Sequence, residues 1–237
     1  MQTSTRVCPI PSERAGKISR IGAALFAFAL WTGAAGAVHA QSAPVSLIAT
    51  YFESPVPKSA TLLQQLKSYA AQVRAAAPDR SADIFREQGR PNRMLVIERR
   101  PGSDPAKKDC VSASIDVELV APIDCRPNTL FISHLPASPP QGAFHMIMHV
   151  DVITEGAGPT LKALQDHGAA VLNAPGNLGL EMGEQTDRAN HFTVHEVWAS
   201  RKDYEAFAAS AAGQLLRKQL MLFRGALFDD RYYEQMP

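Results

Sequence analysis

Two short stretches carry most of the residues with chemistry to offer. Phe144 to Ile153 holds His145, His149 and Asp151, and Asn190 to Trp198 holds His191, His195 and Glu196. Imidazoles and carboxylates bind transition metals and move protons near neutral pH. Both stretches alternate with period two. Phe144, Met146, Met148, Val150 and Val152 share one face against His145, Ile147, His149, Asp151 and Ile153, and Phe192, Val194, Glu196 and Trp198 share one face against His191, Thr193, His195 and Val197. Each therefore reads as a strand with its histidines on one side. Residues four apart along a strand are roughly 13 Å apart, so His145 and His149 cannot share an ion. A cross-strand pair of His149 with His191 or His195 can. A polar lining between two packed sheets is the commoner outcome of such a set, and no metal is expected. Glu196 stands alone among apolar neighbours, either as a base or as the partner of a nearby arginine.

The frame around Glu196 occurs twice. Arg90, Asn92 and Glu98 have the same mutual spacing as Arg188, Asn190 and Glu196. In a chain of 237 residues, two units of about 95 residues each follow from that repeat, spanning 44–134 and 143–237 with a Pro-rich linker at 135–142. The first unit reads as a strand at Val45–Phe52, a helix at Lys58–Ala77, a hairpin of Ala82–Gln88 with Met94–Arg99, and a closing strand at Thr129–Ser133. Between them Ser112–Val120 fits helix or strand by pattern, and the repeat predicts a helix. The second unit reads as Phe144–Ile153, a helix at Pro159–Leu172, strands at Leu178–Gln185 and Asn190–Trp198, one or two helices in Lys202–Leu222, and a closing strand within Ala226–Tyr233. Strand, helix, strand, strand, helix, strand with right-handed crossovers is the ferredoxin-like α+β arrangement, which leaves one sheet face bare. Two such units in tandem can cover each other as an intramolecular dimeric α+β barrel.

Residues 1–40 have the pattern of a signal peptide: Arg14, Lys17 and Arg20, an apolar run from Ile21 to Ala37, and Val38-His39-Ala40 before the expected cleavage at Gln41. A periplasmic or secreted location follows, with no membrane attachment after cleavage; the competing reading is an uncleaved membrane anchor, for which the run is short and rich in Ala and Gly. The segment carries Arg6, Arg14, Lys17 and Arg20 against Glu13, so its loss lowers the formal charge from +1 to −2. That balance gives no reason to expect nucleic acid as a partner. Cys110 and Cys125 remain, an even count in an oxidising compartment, and are expected to pair.

Asn190 to Trp198, then Ser200, Tyr204, the Ala-rich run to Arg217 and Tyr232-Tyr233, resembles the second half of an antibiotic biosynthesis monooxygenase domain, and His149-Val150-Asp151-Val152 resembles its first strand. The resemblance is clear over Phe144 to Tyr233 and weaker over Val45 to Glu98. It implies a dimeric α+β barrel whose relatives include cofactor-independent oxygenases of quinols and phenols, and haem-degrading proteins. It also implies a pocket between sheet and helices near Trp198, with Glu196, Trp198, Tyr204 and Arg217 as candidate catalytic residues. Trp198, Phe207, His149, His191 and His195 are the candidate ligand contacts. Many members carry a histidine about nine residues after the tryptophan, where this chain has Phe207, so haem ligation from that helix is not expected. Arg100 takes the tryptophan position in the first unit, which marks that unit as structural. The expected function is oxidation of a quinol or aromatic phenol without cofactor. The alternative is a small-ligand-binding barrel that has lost catalysis with the helix histidine. Association into a homo-oligomer stays open.

Overall fold

The computed structural model describes residues 45–101, 110, 115–136, 139–225 and 229–237. The signal-like segment 1–40 lies outside them, as do the start of the Ser112–Val120 stretch and residues 226–228. In the first unit β1 (Val45–Glu53), α1 (Ser59–Ala76), β2 (Ser81–Glu87), β3 (Arg93–Pro101) and β4 (Asp124–His134) follow in order. The second has β5 (Phe144–Asp151), α2 (Ala157–Leu172), β6 (Asn177–Gln185), β7 (His191–Trp198), α3 (Arg201–Ala209), α4 (Ala211–Met221) and β8 (Asp229–Met236).

Each unit keeps the ferredoxin-like strand order, β4-β1-β3-β2 and β8-β5-β7-β6, and every pairing is antiparallel. The two sheets do more than stack. β2 pairs with β8 and β4 with β6, so the eight strands close into one barrel and the bare faces become its lining. Closure satisfies the backbone groups that the edge strands would otherwise leave open.

Alternation along the strands sorts side chains between the barrel interior and a helix-covered core on each unit, that of the first unit formed by Phe52, Leu62, Leu66, Ile84, Met94 and Val96. Met146, Met148, Val150, Phe192, Val194 and Trp198 point outward beneath α2, α3 and α4, where they pack with Leu164, Val171, Tyr204, Leu216 and Leu220. Leu47, Ala49, Phe85, Leu95, Ile97, Ile147 and Tyr233 point inward and fill the middle of the barrel. α2 lies close on its sheet because Gly168 has no side chain: a Cβ there would come within 2.5 Å of Ile132 Cδ1. The apolar run after Trp198 breaks into two helices at Ser210, whose extended ψ of 165° ends α3 while its hydroxyl accepts from Gly213 N and caps α4.

The duplication is visible in matched contacts 98 positions apart. Asn92 Nδ2 donates to Ser54 O at 2.9 Å and Asn190 Nδ2 to Val152 O at 2.5 Å. Arg93 pairs with Glu53 at 3.0 Å where His191 pairs with Asp151 at 3.4 Å. The repeat misleads at one place. The helix expected in Ser112–Val120 is absent over residues 115–120, which run irregularly. Ile115, Val117 and Leu119 alternate with Asp116 and Glu118, and this period suits an extended chain laid on the core of α1 and β2. Gln65 Oε1 accepts from Asp116 N and Val117 N at 3.3 Å, and Val120 N donates to Glu53 O. Cys110 is bonded to Cys125 on β4, as expected.

Candidate active site between sheet and helices

The expected site residues fall on opposite faces of one sheet. Glu196, Trp198, Tyr204, Phe207 and Arg217 gather on the helix side, whereas His145, His149, His191 and His195 point into the barrel. No single pocket can hold both sets.

On the helix side Glu196 is buried to 1 % exposure and accepts two hydrogen bonds. One comes from Trp198 Nε1 at 2.9 Å, the other from His167 Nε2 on α2 at 2.9 Å. Its partner is thus an imidazole and an indole, in place of the arginine considered from sequence. Because Nε2 is committed to the carboxylate, the proton sits there and Nδ1 is left as the acceptor. Nδ1 of His167 is buried and has no hydrogen-bond partner among the described residues.

His167, Glu196, Tyr204, Phe207, Arg217 and Asp230 border one small cavity of about 30 Å³, closed by Met146, Met148, Leu216 and Leu220. Trp198 does not line it. The indole is fully buried behind Glu196 and packs on Phe207, ring centroids 5.3 Å apart, and on Tyr204 at 6.1 Å. The Phe207 ring in turn lies 5.5 Å from His167. The imidazole missing from position 207 is therefore supplied to the same cavity from α2. Arg217 and Tyr204 both turn to Asp230 on β8, Arg217 through a salt bridge and Tyr204 through a long hydroxyl contact of 3.5 Å. Burial first, and then the Asp230 charge, raise the Tyr204 hydroxyl above its ordinary pKa, so it stays protonated and available as a donor.

His167 and Asp230 escaped the sequence reading. His167 falls three residues after Leu164 and four before Val171, on the buried stripe of α2. A histidine at a core position of an amphipathic helix was the available signal.

Inside the barrel the histidines form two pairs, each diagonal across β5 and β7. His145 Nδ1 is 3.1 Å from His195 Nε2, and His149 Nε2 is 3.2 Å from His191 Nδ1. A carboxylate stands behind each pair: Glu181 Oε2 lies 3.4 Å from His195 Nδ1, and Asp151 Oδ1 lies 3.4 Å from His191 Nε2. Burial, reinforced by His195 and Arg99, lowers His145 to about 3, and burial with Arg126 and His191 lowers His149 to about 3. Burial alone would raise Glu181, but the Arg99 guanidinium and the His195 hydrogen bond hold it at about 2. Among the described residues no three His, Cys, Asp or Glu side chains converge as metal donors.

Residues 143–218, from the start of β5 into α4, match the antibiotic biosynthesis monooxygenase family. Over those residues the chain is similar to that family. The match takes in His167, Glu196, Trp198, Tyr204, Phe207 and Arg217, and stops before Asp230. No curated protein matches the sequence. Among solved structures, a candidate monooxygenase from Fusobacterium nucleatum superposes with a TM-score of 0.66 at 12% identity, over 82% of this chain and 94% of that one. A candidate monooxygenase from Lactobacillus acidophilus NCFM gives 0.63 at 10% identity, over 81% and 94%. An anthrone oxidase-like protein gives 0.59 at 11% identity, over 83% and 93%. At such identities the likeness is one of fold. It extends over both units.

Proposed function

We propose that the chain is an exported monooxygenase that oxidises a quinol or electron-rich phenol with dioxygen, at the helix-side cavity of the second unit and without metal or flavin. The observation that carries this reading is the buried, unpartnered Nδ1 of His167, whose tautomer Glu196 sets. A base so oriented takes the phenolic proton, and the resulting anion is electron-rich enough to react with dioxygen directly. One oxygen atom stays on the ring and the other leaves as water with two hydrogens of the substrate. Tyr204 and Arg217 provide hydrogen-bond donors for negative charge on the substrate oxygen. Glu196 holds the imidazole and stabilises its charge once protonated, and Trp198 fixes the second carboxylate oxygen.

A space of about 30 Å³ holds about one water molecule and no aromatic ring. Substrate binding therefore requires this cavity to widen. The same volume favours a second reading, a ligand-binding barrel without turnover. Oxygen uptake by the purified protein with a panel of quinols and anthrones separates the two. Turnover that falls at least about a hundredfold in His167→Ala supports the oxygenase. Turnover unaffected by that change refutes the assigned base. Quenching of Trp198 fluorescence with no oxygen uptake supports the binder; Trp198 is the sole tryptophan after Ala40. Export is tested by the N-terminus of the mature protein, expected at Gln41.

A further inference from the structure

The mouth of the barrel beside β6 holds a cavity far larger than the helix-side one. It measures about 480 Å³, in the range of small-molecule sites, and is lined by Asp83, Arg99, Glu181, His145 and His195 over a floor of Phe85, with Ser81, Ser133 and Gln235 at its rim. We propose that this cavity binds a small uncharged polyhydroxylated molecule of monosaccharide size. The site lies on the other sheet face from His167 and does not depend on the oxygenase reading.

The charged groups are already committed to one another. Arg99 makes paired hydrogen bonds to Glu181 at 2.7 and 2.8 Å and a third to Asp83 at 2.5 Å. A guanidinium has five N–H donors, so two remain. Glu181 has both oxygens engaged, by Arg99 and by His195. With His195 Nδ1–H turned to Glu181, its Nε2 accepts from His145 Nδ1–H, and His145 Nε2 is left as an acceptor at the end of the chain. The rings of both histidines sit edge-on to Phe85, with centroids 5.1 and 5.5 Å away, which fixes their orientation.

What the cavity offers beyond these committed groups is mainly dipolar: residual guanidinium donors, the His145 acceptor, the His134 ring, two hydroxyls and an amide, beside an apolar edge of Leu135, Pro136 and Pro139 against which a sugar ring can lie. An anion would meet Asp83 and Glu181, whose charges Arg99 does not fully offset. Among the described residues no third metal donor joins the imidazoles. Hydroxyl groups, which donate and accept, match this set.

D-glucose and D-glucuronate share a ring and differ in charge, so they are suitable probes. The readout is the shift of the His145 and His195 imidazole resonances in the full mature chain. Saturable shifts with glucose are expected, with glucuronate at least about tenfold weaker because its carboxylate meets like charges. Ser133 is exposed at the rim, and Ser133→Trp should abolish the glucose response while leaving the unfolding midpoint unchanged. His167→Ala should leave it intact. No saturable shift with glucose up to roughly 100 mM, tighter binding of glucuronate, or an unchanged response in Ser133→Trp overturns the proposal.

Discussion

Glu98 and Glu196 occupy the same place in the two units, each buried to 1 % and each bonded by the residue two positions on and by the helix in front of it. In the first unit those partners are Arg100, through Nε at 3.1 Å and a terminal nitrogen at 2.8 Å, and the Tyr69 hydroxyl at 2.5 Å. In the second they are Trp198 and His167. Tyr69 and His167, Glu98 and Glu196, and Arg100 and Trp198 all keep the constant offset of 98 positions. One carboxylate is neutralised by a guanidinium and has no base attached. The other holds an imidazole whose second nitrogen is unused. The duplication has thus separated an ion pair from a poised base on one scaffold, and the difference resides in two side chains.

Activity should separate the two glutamates most sharply. His167→Ala or Glu196→Gln should cost about 10²–10⁴ in oxygen-dependent turnover, whereas Tyr69→Phe in the other unit should leave it within about twofold. Equal losses in both would abolish the distinction.

Stability should move the other way. Glu98→Ala removes a carboxylate that accepts from both Arg100 and Tyr69 and should lower the midpoint of chemical denaturation. Glu196→Ala removes a carboxylate whose partners are uncharged when His167 is neutral, so it should cost less.

Acid sensitivity should belong to the second unit. His145 and His149 stand where the first unit has Leu47 and Tyr51. Both have folded-state values of about 3, below the ordinary 6.5, so between those limits the unfolded chain binds more protons than the folded one. Stability is therefore lost as pH falls from about 6.5 towards 3, with a slope of up to about 1.4 kcal/mol per pH unit for each group. The double variant His145→Leu, His149→Tyr should flatten the unfolding midpoint against pH in that window, and an unchanged slope would assign the sensitivity elsewhere.

The smallest effect tests sameness. Asn92→Ala and Asn190→Ala remove equivalent side-chain bonds to the backbone just after the first strand of each unit, and each should cost about 1 kcal/mol. A gap of more than about 1 kcal/mol would mean that the two frames bear load differently.

The alternating strands and the repeated Arg, Asn and Glu were legible in the sequence because each leaves a short-range signal. Period two in Phe144 to Ile153 separates the histidines from the methionines without knowledge of any neighbour. The Glu196 node was half legible: Glu196 and Trp198 stand two apart on one strand, but His167 lies 29 positions upstream on a helix, and only packing joins them. The barrel-mouth cavity was not legible, since Arg99 and Glu181 come from different units and meet when β4 and β6 pair. Over residues 115–120 the expected helix is not formed, because the period-two pattern of Ile115, Val117 and Leu119 suits an extended chain on the core and outweighs the likeness between the halves.

The joints between β2 and β8 and between β4 and β6 lie within one polypeptide, which changes the thermodynamics of closing the ring. Where two separate subunits must meet, the assembled fraction falls on dilution and every substitution appears twice about a symmetry axis. Here closure is a unimolecular event at a fixed effective concentration. Each side of the ring is free to diverge, and the first-unit ion pair and the second-unit base can persist side by side in every molecule.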